Sequence, residues 1–69
     1  MAVKNNLKTI RMQEYLLNQS QFAKNILQID YRQYNRYENG TVPKLDIALK
    51  ICKKLNKPLE QVFYLSEED

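Results

Sequence analysis

Apolar positions recur at steps of three and four along most of the chain, the spacing of helices with one buried face. Leu7 and Ile10 make the inner stripe of a first helix, and Arg11, Glu14 and Leu17 continue the spacing. Asn5 or Asn6 can cap its free amides, while Lys8 and Gln13 face water. A second helix starts at Asn18, with Gln21 three residues on as in a capping box, and buries Phe22, Ala23 and Ile26. A third repeats the device with Asp30 and Gln33, runs from Tyr31 to about Glu38 or Asn39, and stops at Gly40. Its apolar stripe is thin, Tyr34 and Tyr37 with Ile29 just before the cap, so Tyr31, Arg32, Gln33, Asn35 and Arg36 form a polar outer face. After Pro43, a fourth helix runs from about Lys44 to Leu55 with Leu45, Ala48, Leu49, Cys52 and Leu55 at core spacing. Asn56 ends it, and Pro58 suits the first turn of a short fifth helix, Leu59 to Phe63. Ala2-Val3 and Val62–Leu65 can pair as a small terminal β-ribbon.

The expected fold is therefore all-α, a compact bundle of five short helices in one domain spanning residues 1–69, with a core at about 6–63 and a C-terminal tail at 64–69. One glycine and two prolines speak against an all-β chain built on tight turns. With no histidine and one cysteine, the chain lacks an internal disulfide, a Cys/His zinc cluster and the usual general base. That inventory argues against an enzyme and calls for no cofactor and no metal. No apolar run approaches the ~20 residues of a membrane helix, and no signal-peptide pattern opens the chain, so a cytoplasmic module with no membrane partner is expected. Cys52 reads as a small buried hydrophobe rather than a redox sensor.

Charge adds a partner class. Three of the eight acids are Glu67, Glu68 and Asp69, so the residues before them carry eleven bases against five acids. A basic body with an acidic tip suits a polyanion. Lys50, Lys53, Lys54 and Lys57 crowd the end of the fourth helix, where the helix dipole favours cations, and read as a solvated face.

Two short capped helices in tandem, about Gln19–Ile26 and Tyr31–Asn39, have the spacing of a helix-turn-helix. Ala23 is small enough for a close crossing, Phe22, Ile26 and Tyr34 can hold the angle, and long polar side chains open the second helix. The string Leu17-Asn18-Gln19-x-x-Phe22-Ala23, then Ile29, Tyr34, Arg36-Tyr37-Glu38-Asn39-Gly40 and Pro43, resembles the Cro/C1-type helix-turn-helix domain. Leu45…Leu49…Leu55-Asn56-x-Pro58-Leu59-Glu60-x-x-Phe63 extends the likeness over residues 6–63. The resemblance implies a lambda-repressor-like fold, a dimeric DNA-binding regulator, and a pair between Arg11 and Glu38. The chain departs from the pattern in two places: the turn Ile26-Leu27-Gln28-Ile29-Asp30 has no glycine and one residue extra, and another extra residue sits at Tyr15-Leu16.

The resemblance places Gln19 at a phosphate contact and Tyr31 at a position that often reads a base or bonds a phosphate, with Asn35 a further candidate contact nearer the middle of the helix. Arg32, Gln33 and Arg36 have the chemistry to read base edges, since Arg pairs bidentately with guanine and Gln with adenine. Asn39, Thr41 and Lys44 flank the turn after the third helix, where contacts to the DNA backbone are expected. Asp30 would be repelled by DNA and reads as a cap. These residues suggest a sequence-specific regulator of transcription, a repressor that binds a pseudo-palindromic operator in double-stranded DNA as a homodimer. Leu59, Val62, Phe63, Tyr64 and Leu65 are the expected dimer surface. The alternative is a protein-interaction module on the same fold, such as an antitoxin or anti-repressor, and a regulatory protein partner fits either reading.

Overall fold

The computed structural model describes residues 2–67, so Glu68 and Asp69 of the acidic tip lie outside the described residues. The chain opens with strand β1 (Ala2–Asn5) and closes with β2 (Phe63–Ser66). The two pair antiparallel in the register Val3 with Leu65 and Asn5 with Phe63. The terminal ribbon thus forms, and residues 64–66 belong to it rather than to a tail. Between the strands lie five helical elements: α1 (Leu7–Ile10) continuing as a π-helical segment Arg11–Tyr15, α2 (Gln19–Gln21) continuing as a π-helical segment Phe22–Leu27, α3 (Tyr31–Glu38), α4 (Leu45–Leu55) and α5 (Leu59–Val62). No helix among the described residues is long and apolar enough to cross a membrane.

The caps explain most boundaries. The Asn18 side chain accepts the Gln21 N–H at 2.8 Å, and Gln21 Oε1 accepts the Asn18 N–H at 3.5 Å, which closes the capping box. Asp30 accepts the Arg32 N–H at 3.0 Å, one residue earlier than box geometry with Gln33 would have it. At α1, of the two asparagines that could cap, Asn5 does so: its Oδ1 accepts the Leu7 N–H at 3.1 Å, and the Asn6 side chain does not cap. Asn6 Nδ2 instead donates to the Gln61 carbonyl and Asn5 Nδ2 to the Tyr37 carbonyl, stitching the entry of α1 to α5 and α3. α3 ends in a Schellman motif, with Thr41 N–H bonding to Arg36 O at 2.9 Å and Gly40 N–H to Tyr37 O at 3.2 Å. Gly40 has φ +113, which no other residue type adopts readily.

The two extra residues are absorbed where α1 and α2 end. In each, the last turn widens to i→i+5 bonds, Leu16 N–H to Arg11 O and Gln28 N–H to Ala23 O. The chain then reverses through a left-handed residue, Leu16 at φ 55 and Gln28 at φ 57, where glycine would be the easy choice. The wider turn also shifts the buried face. Leu27 enters the core at 3% exposure, and Ile26, which helical spacing from Phe22 and Ala23 would bury, stays half-buried.

The core gathers Leu7, Ile10, Phe22, Ala23, Tyr34 and Tyr37 with the inner faces of α4 and α5. Phe22 packs against Tyr15 and Tyr34 with ring centroids 5.1 and 5.4 Å apart. On α4 the stripe is Ala48, Ile51, Cys52 and Leu55, while Leu45 and Leu49 are 66% and 50% exposed. The sequence spacing admitted both faces, and the sharper one packs on α2 and α5. Cys52 is buried, and that burial, helped by the Glu60 charge, pushes its thiol above the ordinary value, away from the thiolate. Val62 and Phe63 of the expected dimer surface are likewise part of the core, at 0% and 8% exposure.

Leu16 is both left-handed and 80% exposed, so its backbone strain is not offset by burial. Leu16→Gly is expected to raise stability by about 0.5–1 kcal/mol, strain relief being partly offset by the freer unfolded chain. Leu16→Val should lower it, because a branched side chain tolerates this conformation least. Urea midpoints read both, and midpoints that stay put would contradict the strain argument.

Candidate nucleic-acid interface

α2 and α3 form the helix-turn-helix, and one carboxylate sets their relation. Glu38, in the last turn of α3, points inward with its side chain 4% exposed. Arg11 Nε donates to its Oε2 at 2.9 Å and Arg11 Nη2 to its Oε1 at 3.5 Å. The Tyr34 hydroxyl also donates to Oε2, and Gln19 Nε2 donates to Oε1 at 2.8 Å. Arg11 Nη1 in turn holds the Leu17 carbonyl at 2.9 Å, which fixes the chain just ahead of α2. The pair that the resemblance implied is present, and Tyr34, fully buried, belongs to it.

Burial alone would raise the Glu38 pKa, but hydrogen bonds from Arg11, Tyr34 and Gln19 outweigh it and hold the carboxyl below its ordinary value. The bond to Glu38 holds the Arg11 guanidinium above its ordinary value against the opposing effect of burial. Burial, then the bond to Glu38, pushes the Tyr34 hydroxyl far up. All three groups therefore stay in the states that bond best: carboxylate, guanidinium and neutral phenol.

The network continues outward through amides. Gln19 Oε1 accepts from Asn35 Nδ2 at 3.0 Å and from the Tyr31 hydroxyl at 3.4 Å, and Asn35 Oδ1 accepts from Asn39 Nδ2 at 3.1 Å. Four of the nine candidate residues, Gln19, Tyr31, Asn35 and Asn39, are thus joined in one cluster that bridges α2 and α3. Gln19 and Asn35 are half-buried within it. Nothing in a single sequence signals that these amides find each other, because the contact spans two helices whose relative angle spacing does not give.

Arg32, Gln33 and Arg36 stand apart from the cluster. They are exposed on α3, and their side chains carry no hydrogen bond or ion pair among the described residues. Thr41 and Lys44 are exposed on the segment that leaves α3. Glu38 being neutralised inside, the outward charges of α3 are the two arginines, with the capping Asp30 at its start. Such a face can offer fork-shaped donors to an anion or to base edges.

A helix-turn-helix family model matches residues 7–62, nearly the whole chain. The chain belongs to the Cro/C1-type helix-turn-helix family. Members of this family are DNA-binding regulators, generally without catalytic activity, and the Cro/C1-type fold accounts for the five helices described above. No curated protein sequence matches the chain.

Glu38→Ala leaves the nearly buried Arg11 charge unpaired and is expected to cost about 3–5 kcal/mol of stability by denaturant unfolding. The acid dependence has a definite sign. Folding lowers the Glu38 pKa, so its stabilisation is in place above the ordinary value of 4.5 and fades as pH falls below it. Glu38→Gln should flatten that acid limb, and an unchanged slope would show that other carboxylates govern it.

Proposed function

We propose that the chain is a sequence-specific repressor that binds a pseudo-palindromic operator in double-stranded DNA as a homodimer. The carrying observation is the division of labour on α3. Its inner side is clamped through Glu38, while Arg32, Gln33 and Arg36 extend from its outer side with no side-chain partner among the described residues. In this reading the first turns of α3 enter the major groove, where Arg32 and Gln33 read base edges and Tyr31 and Arg36 touch base or backbone. Gln19, Asn35 and Asn39 line the same edge, Gln19 against a phosphate. Thr41 and Lys44 lie beside the backbone as the chain leaves the groove.

One domain makes only a handful of base contacts, and a two-fold pair on a palindrome doubles them. The surface best suited to that pairing is an apolar groove of about 600 Å³ whose lining includes Val3, Val42, Leu45, Leu59, Tyr64 and Leu65. Of the residues expected at the dimer surface, Leu59, Phe63, Tyr64 and Leu65 line this groove, Val42 and Leu45 add to it, and Val62 is buried in the core. Occlusion of a promoter needs no surface beyond these two, which favours repression. The whole chain then serves as a single DNA-binding domain.

Two measurements test the reading. In titrations at two salt concentrations, Arg32→Ala should weaken the specific site by about 1–3 kcal/mol per half-site and relax preference at one base pair. Lys44→Ala should weaken all duplexes nearly equally and shrink the salt slope by about one unit per site. If neither variant changed binding to any duplex, the protein-interaction reading would replace this one. For assembly, Leu45→Glu with Leu65→Glu should turn a sedimenting dimer into a monomer, and a wild-type monomer at tens of micromolar, roughly the range of weak dimer constants, would refute the homodimer.

A further inference from the structure

A second groove lies on another face, between the end of α2, the α2–α3 turn and α4, with a volume of about 580 Å³. Its floor includes Ile29, Ile47 and Ile51, and its rim carries Lys50, Lys53 and Lys54. Ile29 and Ile47 are only half-buried, so apolar surface remains open between the ammonium groups. Neither the DNA-reading face nor the proposed dimer groove uses these side chains.

We infer that this groove docks an acidic amphipathic helix of a partner protein. Charge complementarity carries the argument. Lys50 lies about one turn from Lys53 and Lys54 on the groove side of α4, where like charges repel one another. A docking helix with carboxylates at i and i+4 matches that spacing and relieves the repulsion, while its apolar stripe covers the isoleucines. A nucleic-acid backbone could answer the lysines but has no use for the apolar floor.

Gln28, in the α2–α3 turn, lines the edge of this groove. Its side chain accepts a hydrogen bond from the Lys54 ammonium. Gln28 does this from the left-handed turn, at φ 57, a conformation in which glycine costs less. The strained residue thus holds one rim charge in place beside the groove, and pre-ordering a long side chain lowers the entropy lost on docking. The inference does not depend on the DNA-binding reading and would stand if that reading failed.

The probe is a synthetic helix of about four turns with a leucine stripe flanked by glutamates, titrated against the full chain by fluorescence anisotropy. Saturable binding is expected, with a loss of about tenfold or more when the glutamates become glutamines. Lys50→Glu/Lys54→Glu should cause a similar loss, and a lysine-flanked helix should recover affinity for that variant. These lysines are exposed, so circular dichroism should find the variant folded. A scrambled peptide of the same composition that bound equally well would reduce the effect to bulk charge and overturn the inference. So would a charge-reversed variant that kept its peptide affinity, or one that lost affinity for duplex DNA instead, which would assign the rim to nucleic acid.

Discussion

The arrangement of helices rests on the Glu38 carboxylate. Its two oxygens take four donors from three helices: two from Arg11 after α1, one from Gln19 on α2, and one from Tyr34 on α3 itself. A nearly buried charge is tolerable only when paired and fully hydrogen-bonded, so each donor constrains the others. The result is a geometric constraint more than a source of net stability. An apolar core built on Phe22, Leu7 and Tyr34 could tolerate small changes in helix angle. A carboxylate with four directed partners tolerates far less.

That constraint connects packing to function. The last turn of α3 is tied to the first turn of α2 through Gln19, and the amides of Asn35 and Asn39 extend the tie along the outer edge. The Schellman motif at Gly40 and the Asp30 cap fix both ends of α3. On the outer face, the side chains of Arg32, Gln33 and Arg36 make no hydrogen bond or ion pair among the described residues. Their long side chains rest on a pre-organised frame, which lowers the ordering cost when they meet a ligand.

Much of this was legible in the residues. Local signals placed the Asn18 box, the Asp30 cap and the Gly40 terminus, because each depends on neighbours a few positions away. The resemblance supplied the Arg11–Glu38 pair, which no local rule would have found. The misplacements have a common cause, a rotation of a helix face that periodicity alone does not fix. One extra residue at the end of α2 traded Ile26 for Leu27 in the core, and α4 offered two overlapping stripes, of which Leu45 and Leu49 marked the exposed one. The amide cluster around Gln19 stayed hidden because it depends on the angle between two helices. Of the two asparagines that could cap α1, Asn5 does so, and the choice has a tertiary reason: Asn6 donates to the Gln61 carbonyl of α5 instead.

On the proposed reading, a clamped α3 reads base sequence with its outer face. The most direct test is selection of bound fragments from a pool of random duplexes, with wild-type and Arg32→Ala protein run side by side. A pseudo-palindromic winner is expected for the wild type, with half-sites one helical turn or a multiple apart, and relaxed preference at a symmetric pair of positions for the variant. A pool that emerges without enrichment, or an enriched motif that Arg32→Ala leaves untouched at every position, would contradict it.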